Sequence, residues 1–382
     1  MSKILILSCF YSPAYKGGGP IKSISGLSKV LSKKNEVYVF CLNCDIDGSF
    51  LDIPVSNKWI DVDGVKVFYS SKDKLIINLL SIMRSKYDYL YLNSFFSFYY
   101  SIVPIILIGF FKTVKNIILA PRGELSPGAL TLKSKKKIQF LILCKWLNIY
   151  KKNMTWHATS VLESNEIRDT LKKYLDIDNP VIKIAQNISP ISEAYRINVI
   201  EKKQIDLVFL SRISPKKNLE YALKVLEKCN LFINFDIWGP LEDPQYWAEC
   251  EKLIGSLPSN IKVTYKGSIG PSEVPGMLSK YDLFFFPTLG ENYGHVIAES
   301  LSVGTPLLIS NTTPWINLDY HGIGKDIDLN NMMEFVDYLE DFNCKNIQER
   351  TLMRENALKY FSEKFCGKNI VAATYDLFKS KV

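Results

Sequence analysis

The feature that most limits the architecture is an alternation of short apolar runs with helix-spaced segments, which begins twice along the chain. Ile4 to Ser8 is strand-like, a glycine-rich turn follows, Ile21 to Leu31 carries apolar residues at helical spacing, and Val37 to Leu42 is strand-like again, a βαβ opening. Val65 to Tyr69, Tyr89 to Leu92, Asn116 to Ala120 and Trp156 to Ala158 extend it, with a turn at Asp63-Gly64. After Pro190 the pattern restarts: strand Ile205 to Leu210, helix Leu219 to Lys228, then strands Phe232 to Trp238, Ile261 to Tyr265, Leu283 to Phe286 and Pro306 to Ser310. Near-continuous apolar runs suit strands covered on both faces of a largely parallel sheet. A chain of 382 residues also exceeds what one core organises. The expectation is an α/β protein of two open parallel-sheet domains, residues 1–188 and 189–364, divided in the polar stretch Gln186-Asn187-Ile188-Ser189-Pro190. Residues 365–382, helix-like from Asn369 to Phe378, form a C-terminal helix that can return to the N-terminal domain. Open sheets bind ligands beyond the carboxyl ends of their strands, so two facing domains define a central cleft.

Composition narrows the setting. A content of 47% hydrophobic and 23% charged residues leaves little room for long disorder. Eight cysteines in a chain whose Met1 leads straight into a strand point to a reducing cytoplasm, and the lone CxxC pair Cys41 and Cys44 reads as structural thiols. Phe95 to Phe111 is nearly uncharged but contains Pro104 and stops at Lys112, short for a spanning helix and suited to a buried or surface-dipping one. The net charge of +8 is unevenly spread: no acidic residue occurs between Leu125 and Leu162, where Lys133, Lys135, Lys136, Lys137, Lys145, Lys151 and Lys152 fall. Ser126 and Pro127 suit a helix start, and Phe140, Leu143, Leu147 and Tyr150 recur at helical spacing. That face either packs into the N-terminal domain or, with Lys133, Lys135, Lys136 and Lys137, meets an anionic membrane surface. The lysines are not interleaved with aromatics as single-stranded nucleic acid requires, so no nucleic acid is expected.

Three constellations carry chemistry. Strand Leu283 to Phe286 leads into Pro287-Thr288-Leu289-Gly290-Glu291-Asn292-Tyr293-Gly294-His295, then a short helix bearing Glu299 and closed by Gly304. A helix N-terminus there favours a diphosphate. Loop and helix span roughly 10 Å, so one carboxylate can hold a sugar and the other a ribose; alternatively both are solvated charges. Second, Ser211-Arg212-Ile213-Ser214-Pro215-Lys216-Lys217-Asn218 follows strand Ile205 to Leu210, and a guanidinium fork with an ammonium suits a diphosphate leaving group without metal; Lys216 and Lys217 as plain surface charges are the bland reading. Third, Tyr15-Lys16-Gly17-Gly18-Gly19-Pro20 lies in the first βα turn, where missing side chains let backbone approach a phosphate or sugar. It is no dinucleotide fingerprint, because Pro20 and Ile21 break the GxGxxG pattern. The D-x-D triplets beginning at Asp45, Asp61, Asp176 and Asp326 lie in loop-like places, and neither they nor His157, His295 and His321 make a metal cluster. No cofactor or metal is expected.

Glu291 to Glu299 with Tyr293-Gly294 and Ser302-Val303-Gly304-Thr305-Pro306 resembles the E-x7-E region of glycosyltransferase family 4, retaining enzymes of the GT-B fold, in which two Rossmann-like domains face a central cleft. The resemblance spans nearly the whole chain. It implies that Arg212 and Lys217 are the phosphate-binding pair and that Gly18 or Gly19 meets the donor. It implies too that Glu291 holds sugar hydroxyls, that the backbone of Asn292, Tyr293 and Gly294 holds the diphosphate, with His295 acting through its amide, and that Glu299 holds the ribose. Catalysis would rest on Arg212, Lys217 and Glu291. Ala120-Pro121-Arg122-Gly123-Glu124-Leu125-Ser126-Pro127-Gly128-Ala129-Leu130 and Trp156-His157-Ala158-Thr159-Ser160 resemble members that build bacterial capsule, O-antigen or exopolysaccharide. Asn218 stands where many relatives have glycine, and Asn93 or Arg122 where some carry a histidine or aspartate; Asn93, Arg122 and Glu124 are the acceptor-side candidates. The implied function is transfer of a hexosyl or N-acetylhexosaminyl group from a nucleotide-diphosphate sugar, a UDP-sugar favoured, to a lipid-linked surface glycan. The implied location is the cytoplasm, peripheral on the inner membrane face. The alternatives are an epimerase or hydrolase of the same fold, or a non-catalytic nucleotide-sugar-binding subunit.

Overall fold

The computed structural model describes residues 1–131, 134–150, 154–188, 203–365 and 368–379. The chain divides into two compact units, Met1–Ile188 with Lys368–Val382, and Ser189–Gly367. The first holds β1 (Lys3–Leu7), β2 (Glu36–Leu42), β3 (Trp59–Val62), β4 (Val65–Ser70), β5 (Tyr87–Leu92), β6 (Val114–Leu119), β7 (Met154–Ala158) and β8 (Val181–Ile184), in the spatial order β3-β4-β2-β1-β5-β6-β7-β8. Neighbours are parallel except β3, which runs antiparallel to β4. The sequence reading did not single out β3 and β8. Both are edge strands, only partly buried, so they lack the continuous apolar run that marks the inner strands.

Side chains alternate across this sheet: Leu5 and Leu7 enter one core cluster, Ile4 and Ile6 the other, as the two-residue strand period requires. Ser97 caps a π-helical turn, Phe98–Ile102, that runs into helix Val103–Phe111. Tyr100, Ile105 and Ile108 are buried while Phe98 and Phe110 stay exposed. Among the described residues no helix is long and apolar enough to cross a membrane. Cys41 and Cys44 are buried and unbridged.

The basic segment differs from its expected form. Pro127–Thr131 is a short helix, with the Ser126 hydroxyl accepting from the Ala129 amide at 3.2 Å, and a second helix covers Ser134–Trp146. Leu141 and Cys144 are buried and Phe140 packs on Phe96, whereas Leu143 and Leu147 face solvent. The expected stripe of Phe140, Leu143, Leu147 and Tyr150 is therefore not the inward one. Inward contact is set by the Phe95-Phe96 pair, which receives Phe140. Tyr150 is buried instead from the turn beyond the helix, stacked on Phe95 at 4.7 Å.

Helix Lys368–Leu377 returns to the first sheet. Leu377 and Phe378 join the core cluster that contains Ile4, Tyr89 and Tyr91, and Phe378 lies 5.5 Å from the Tyr89 ring and 6.1 Å from Tyr91. The Tyr375 hydroxyl donates to the Val30 carbonyl at 2.8 Å, and Lys183 Nζ donates to the carbonyls of Asp376 and Lys379.

The second unit holds β9 (Ile205–Leu210), β10 (Ile233–Trp238), β11 (Ile261–Gly267), β12 (Leu283–Phe286), β13 (Leu307–Ser310) and β14 (Gly324–Ile327) in the order β11-β10-β9-β12-β13-β14. All its pairs are parallel. The strand order reverses between β9 and β12, and in the first sheet between β1 and β5. Those reversals are where an open α/β sheet admits a ligand.

If the returning segment belongs energetically to the first unit, Phe378→Ala removes a buried aromatic at a cost on the order of 3 kcal/mol. Hydrogen exchange at the β5 amides should accelerate accordingly while β9 amides keep their protection; equal protection in β5 of both proteins would contradict this.

Candidate functional site

At the reversal of the second sheet, β9 and β12 pair directly, Leu207 with Leu283 and Val208 with Phe284, so the loops that follow them emerge side by side. The loop after β9 contains a 3-10 turn, Pro215–Lys217, and reaches helix Leu219–Glu227 through Asn218 at φ 62. That left-handed conformation favours glycine or asparagine. Here asparagine adds a bond, Nδ2 donating to the Pro287 carbonyl at 2.8 Å. The Leu289 amide and Thr288 hydroxyl both donate to the Lys216 carbonyl, at 3.0 and 3.2 Å. The two loops are thus one hydrogen-bonded body.

Lys217 crosses that body to form an ion pair with Glu291, each side chain 14% exposed, with its ammonium 5.6 Å from the centre of the Phe286 ring. Arg212, from the same loop, pairs with Glu242 on the loop after β10. Gly239 on that loop sits at φ 132, where a Cβ would meet the Ser211 carbonyl oxygen at 1.8 Å. Only glycine lets the backbone approach Arg212 this closely.

The E-x7-E segment is built by a second glycine. Gly294, at φ 77, precedes helix His295–Ser302, and a Cβ there would strike Ile297 and the Trp315 indole. Trp315 donates through Nε1 to the Tyr293 carbonyl, and Tyr293 packs edge-on against His295 at 4.7 Å. Gly304, at φ 77, closes the helix with its amide on the Leu301 carbonyl at 3.0 Å. Glu299 is half-buried on the helix. Arg212, Lys217, Glu291, Asn292, Tyr293, Gly294, His295 and Glu299 accordingly lie on loops and a helix start after β9 and β12. Glu242 and Trp315 were not foreseen, since neither sits in a recognisable motif.

In the first unit, Gly18 lies at φ 69 before helix Gly19–Leu31, which carries Pro20 in its first turn. Gly18 is required by its backbone angle; Gly19 is an ordinary helical residue. Arg122, at φ 57, spreads its guanidinium over three partners: Nε donates to Asn93 Oδ1 at 2.7 Å, Nη1 to Asn187 Oδ1 at 2.7 Å and Nη2 to Tyr91 Oη at 2.8 Å. Tyr91 Oη lies 2.7 Å from His157 Nδ1, and His157 Nε2 lies 2.8 Å from the Ala185 carbonyl. Because that carbonyl can only accept, the imidazole carries its hydrogen on Nε2 and accepts the phenol's on Nδ1. Sequence reasoning proposed Asn93 and Arg122 but missed Tyr91, His157 and Asn187, which lie far apart along the chain and meet only where strands end together.

Glu124, expected on the acceptor side, is turned inward. Its carboxylate accepts from the Phe96 amide at 3.1 Å, from the Phe95 amide and from the Ser94 hydroxyl. Burial pushes its carboxyl up, opposed by the amides of Phe95 and Phe96. It ties the loop after β5 to the loop after β6. Of the basic candidates, Lys135 and Lys136 are exposed. Lys137 is not a free surface charge: its ammonium donates to the Ala129 carbonyl at 2.6 Å and sits 5.2 Å from the Phe96 ring centre. Lys133 lies outside the described residues. Among the described residues no group of His, Cys, Asp and Glu could hold a metal.

Burial first, and the Arg122 charge second, bring the His157 imidazole down from 6.5 to about 3. As pH falls below the unfolded value the unfolded chain gains a proton that the folded one refuses until about 3, so stability is lost with acidification across that window. The expected slope from this residue approaches about 1.4 kcal/mol per pH unit. Urea titrations between about pH 6 and about pH 4 should show a shallower decline for His157→Gln than for the parent; parallel declines would contradict the assignment.

Residues 191–360 match the family Glycosyl transferases group 1. A 41.2 kDa uncharacterized protein in the cps region of Klebsiella pneumoniae is 21% identical over 185 residues, 48% of this chain and 48% of its own length. An uncharacterized glycosyltransferase of Methanocaldococcus jannaschii is 22% identical over 177 residues, 45% of this chain and 44% of its own. The chain spans about half the length of these curated relatives in the alignments. Among solved structures, HepE of Anabaena in complex with UDP and glucose has a TM-score of 0.69 at 14% identity, covering 99% of this chain and 98% of that one. Sucrose-phosphate synthase from Thermosynechococcus elongatus has a TM-score of 0.71 at 14% identity, with the same coverage of 99% and 98%. These likenesses identify the fold as GT-B, and with the family match over residues 191–360 they support a GT-B glycosyltransferase.

Proposed function

We propose that the protein is a retaining glycosyltransferase that moves a hexosyl or N-acetylhexosaminyl group from a nucleotide-diphosphate sugar, a UDP-sugar favoured, to a lipid-linked bacterial surface glycan. The observation that carries this reading is the Lys217–Glu291 pair at the reversal of the second sheet, beside the N-terminus of helix His295–Ser302. An arriving diphosphate competes for Lys217 and Arg212 with their carboxylate partners. Glu291, released, is then available to sugar hydroxyls, and Glu299 to the ribose. The bond between the anomeric carbon and the phosphate oxygen breaks with its electron pair passing to the diphosphate, which Arg212, Lys217 and the helix N-terminus stabilise. The acceptor hydroxyl bonds to the anomeric carbon on the same face and gives its proton to the departing phosphate. The UDP in the HepE complex and the cps-region relative support the choice of donor and acceptor class.

Arg212→Ala and Lys217→Ala should each lower kcat/KM by roughly 10- to 150-fold in chelator-treated buffer, the loss of a charge-assisted contact. Glu299→Gln should weaken nucleotide binding. Glu291→Gln should slow transfer yet leave nucleotide affinity equal or tighter, because it removes the competitor for Lys217. Weaker nucleotide binding by Glu291→Gln would reverse the placement of sugar and ribose, and activity lost in chelator and restored by a divalent ion would bring a metal into the mechanism.

The same reading places the enzyme peripherally on the inner face of the cytoplasmic membrane. On helix Ser134–Trp146 and the residue after it, Lys135, Lys136, Ile142, Leu143, Trp146 and Leu147 share the outward face; Trp146 is 81% exposed and Ile142 56%. Lysines followed by an apolar surface, in an acid-free interval, complement an anionic bilayer. The parent protein should sediment with phosphatidylglycerol vesicles and release with salt. Replacing Lys135 and Lys136 with glutamine should weaken binding by roughly 30-fold, at about 1 kcal/mol per lysine. Trp146→Ser should weaken it further, and equal sedimentation of all three proteins would remove the membrane from this face.

A further inference from the structure

Arg122 poses a physical question that the donor chemistry leaves unanswered. Its guanidinium is half-buried, and its three bonded partners, Asn93, Asn187 and Tyr91, are neutral. Among the described residues no carboxylate forms an ion pair with it. The nearby acids are engaged elsewhere: Glu163 accepts from the Gly123 amide at 2.8 Å and from the Thr159 amide and hydroxyl, and Glu124 from the loop after β5. His157 and Tyr91 are held neutral, one with its pKa brought down to about 3 and the other pushed up to about 12, both chiefly by burial. The Arg122 charge is therefore met by dipoles alone at hydrogen-bond distance, with the Glu163 carboxylate held on the Gly123 and Thr159 groups beside it. A partly desolvated charge of that kind is costly unless an anion meets it.

Position and geometry favour recognition over simple bracing. Arg122 and Gly123 are consecutive residues with positive φ, 57 and 74, and the left-handed region is unfavourable for arginine by on the order of 1 kcal/mol. The three bonds come from groups on β5 and on the loops after β5 and β8, so the plane of the fork is fixed from two sides. They use one hydrogen on each guanidinium nitrogen and leave one on each of Nη1 and Nη2, the number a bidentate oxyanion takes. Asn93 also reaches Ser8, just after β1, at 3.4 Å. The cluster thus sits at the β1/β5 reversal, on the carboxyl side of the strands.

We propose that Arg122, oriented by Asn93, Asn187 and Tyr91, is an oxyanion-binding residue for the acceptor, taking a phosphate or carboxylate group that the acceptor carries. This rests on reading the first unit as the acceptor side. The acceptor is then an anionic glycan or glycosyl phosphate, and its charge fixes how its hydroxyl is presented. Arg122 is a binding residue that touches the acceptor, and Asn93 and Asn187 are positioning residues.

The test follows the Arg122 Nε–Hε signal by nuclear magnetic resonance in the Lys217→Ala protein, which removes the ammonium proposed to bind the donor diphosphate. Hexose 1-phosphate and methyl glucuronide separate the two sources of the oxyanion, and methyl glucoside is the uncharged control. At least one anionic probe should shift the signal saturably and the control should not. Asn187→Asp replaces a neutral partner by an isosteric carboxylate, so the fold is retained and anion affinity should fall by roughly 10-fold or more. Arg122→Lys should bind weakly, having lost the planar fork. The proposal is overturned if neither anion moves the signal, or if Asn187→Asp binds as tightly as its parent. Saturable binding, with no sugar transferred by the unsubstituted protein, would uphold the site and sink the transferase reading. Efficient transfer to an uncharged acceptor, without a shift from either anion, would do the reverse.

Discussion

Parallel strands can be joined only by crossovers, and when successive crossovers turn in opposite directions two adjacent strands lead on to helices on opposite faces of the sheet. Everything of chemical interest in this protein gathers around two such places. In the second sheet the reversal sets β9 against β12, and the loops that follow become one body through Asn218 on the Pro287 carbonyl and Leu289 and Thr288 on the Lys216 carbonyl. Lys217 and Glu291 meet because those loops are so tied. In the first sheet the reversal sets β1 against β5, and Ser8, Asn93 and Arg122 assemble there.

The two reversals handle charge differently. Lys217 and Glu291 are both nearly buried and neutralise each other, so removing either leaves a charge in a poor dielectric. The pair holds both groups in place, and a polyanion that took Lys217 would leave the Glu291 charge to the hydroxyl donors it brought with it. Arg122 has no such internal partner among the described residues and is steadied by dipoles instead. Dipoles orient a cation without neutralising it, which preserves its field for whatever binds.

The inner strands and the E-x7-E loop were legible in the sequence because each depends on local information. Leu283–Phe286 is an unbroken apolar run, and Gly294 and Gly304 mark the ends of the helix by backbone angles that few other residues adopt. The edge strands Trp59–Val62 and Val181–Ile184 were not legible, because half-buried strands borrow their order from a neighbour. The Arg122 cluster was visible only in part. Tyr91 and His157 read as ordinary strand residues, and Asn187 as part of a linker, until the parallel sheet brings their carboxyl ends together.

The basic helix shows how charge and apolar content can each be read correctly and their arrangement still missed. Helical spacing offered Phe140, Leu143 and Leu147 as one face, yet periodicity cannot say which of two overlapping stripes faces inward. Aromatic packing decided it: Phe95 and Phe96 receive Phe140, Leu141 and Cys144 follow it inward, and Leu143, Trp146 and Leu147 turn out. Lys137 turns inward with Phe140 and donates to the Ala129 carbonyl. The outward surface is therefore defined by what the core declined, a remainder of two exposed lysines and an apolar ridge that no single stretch of sequence displays.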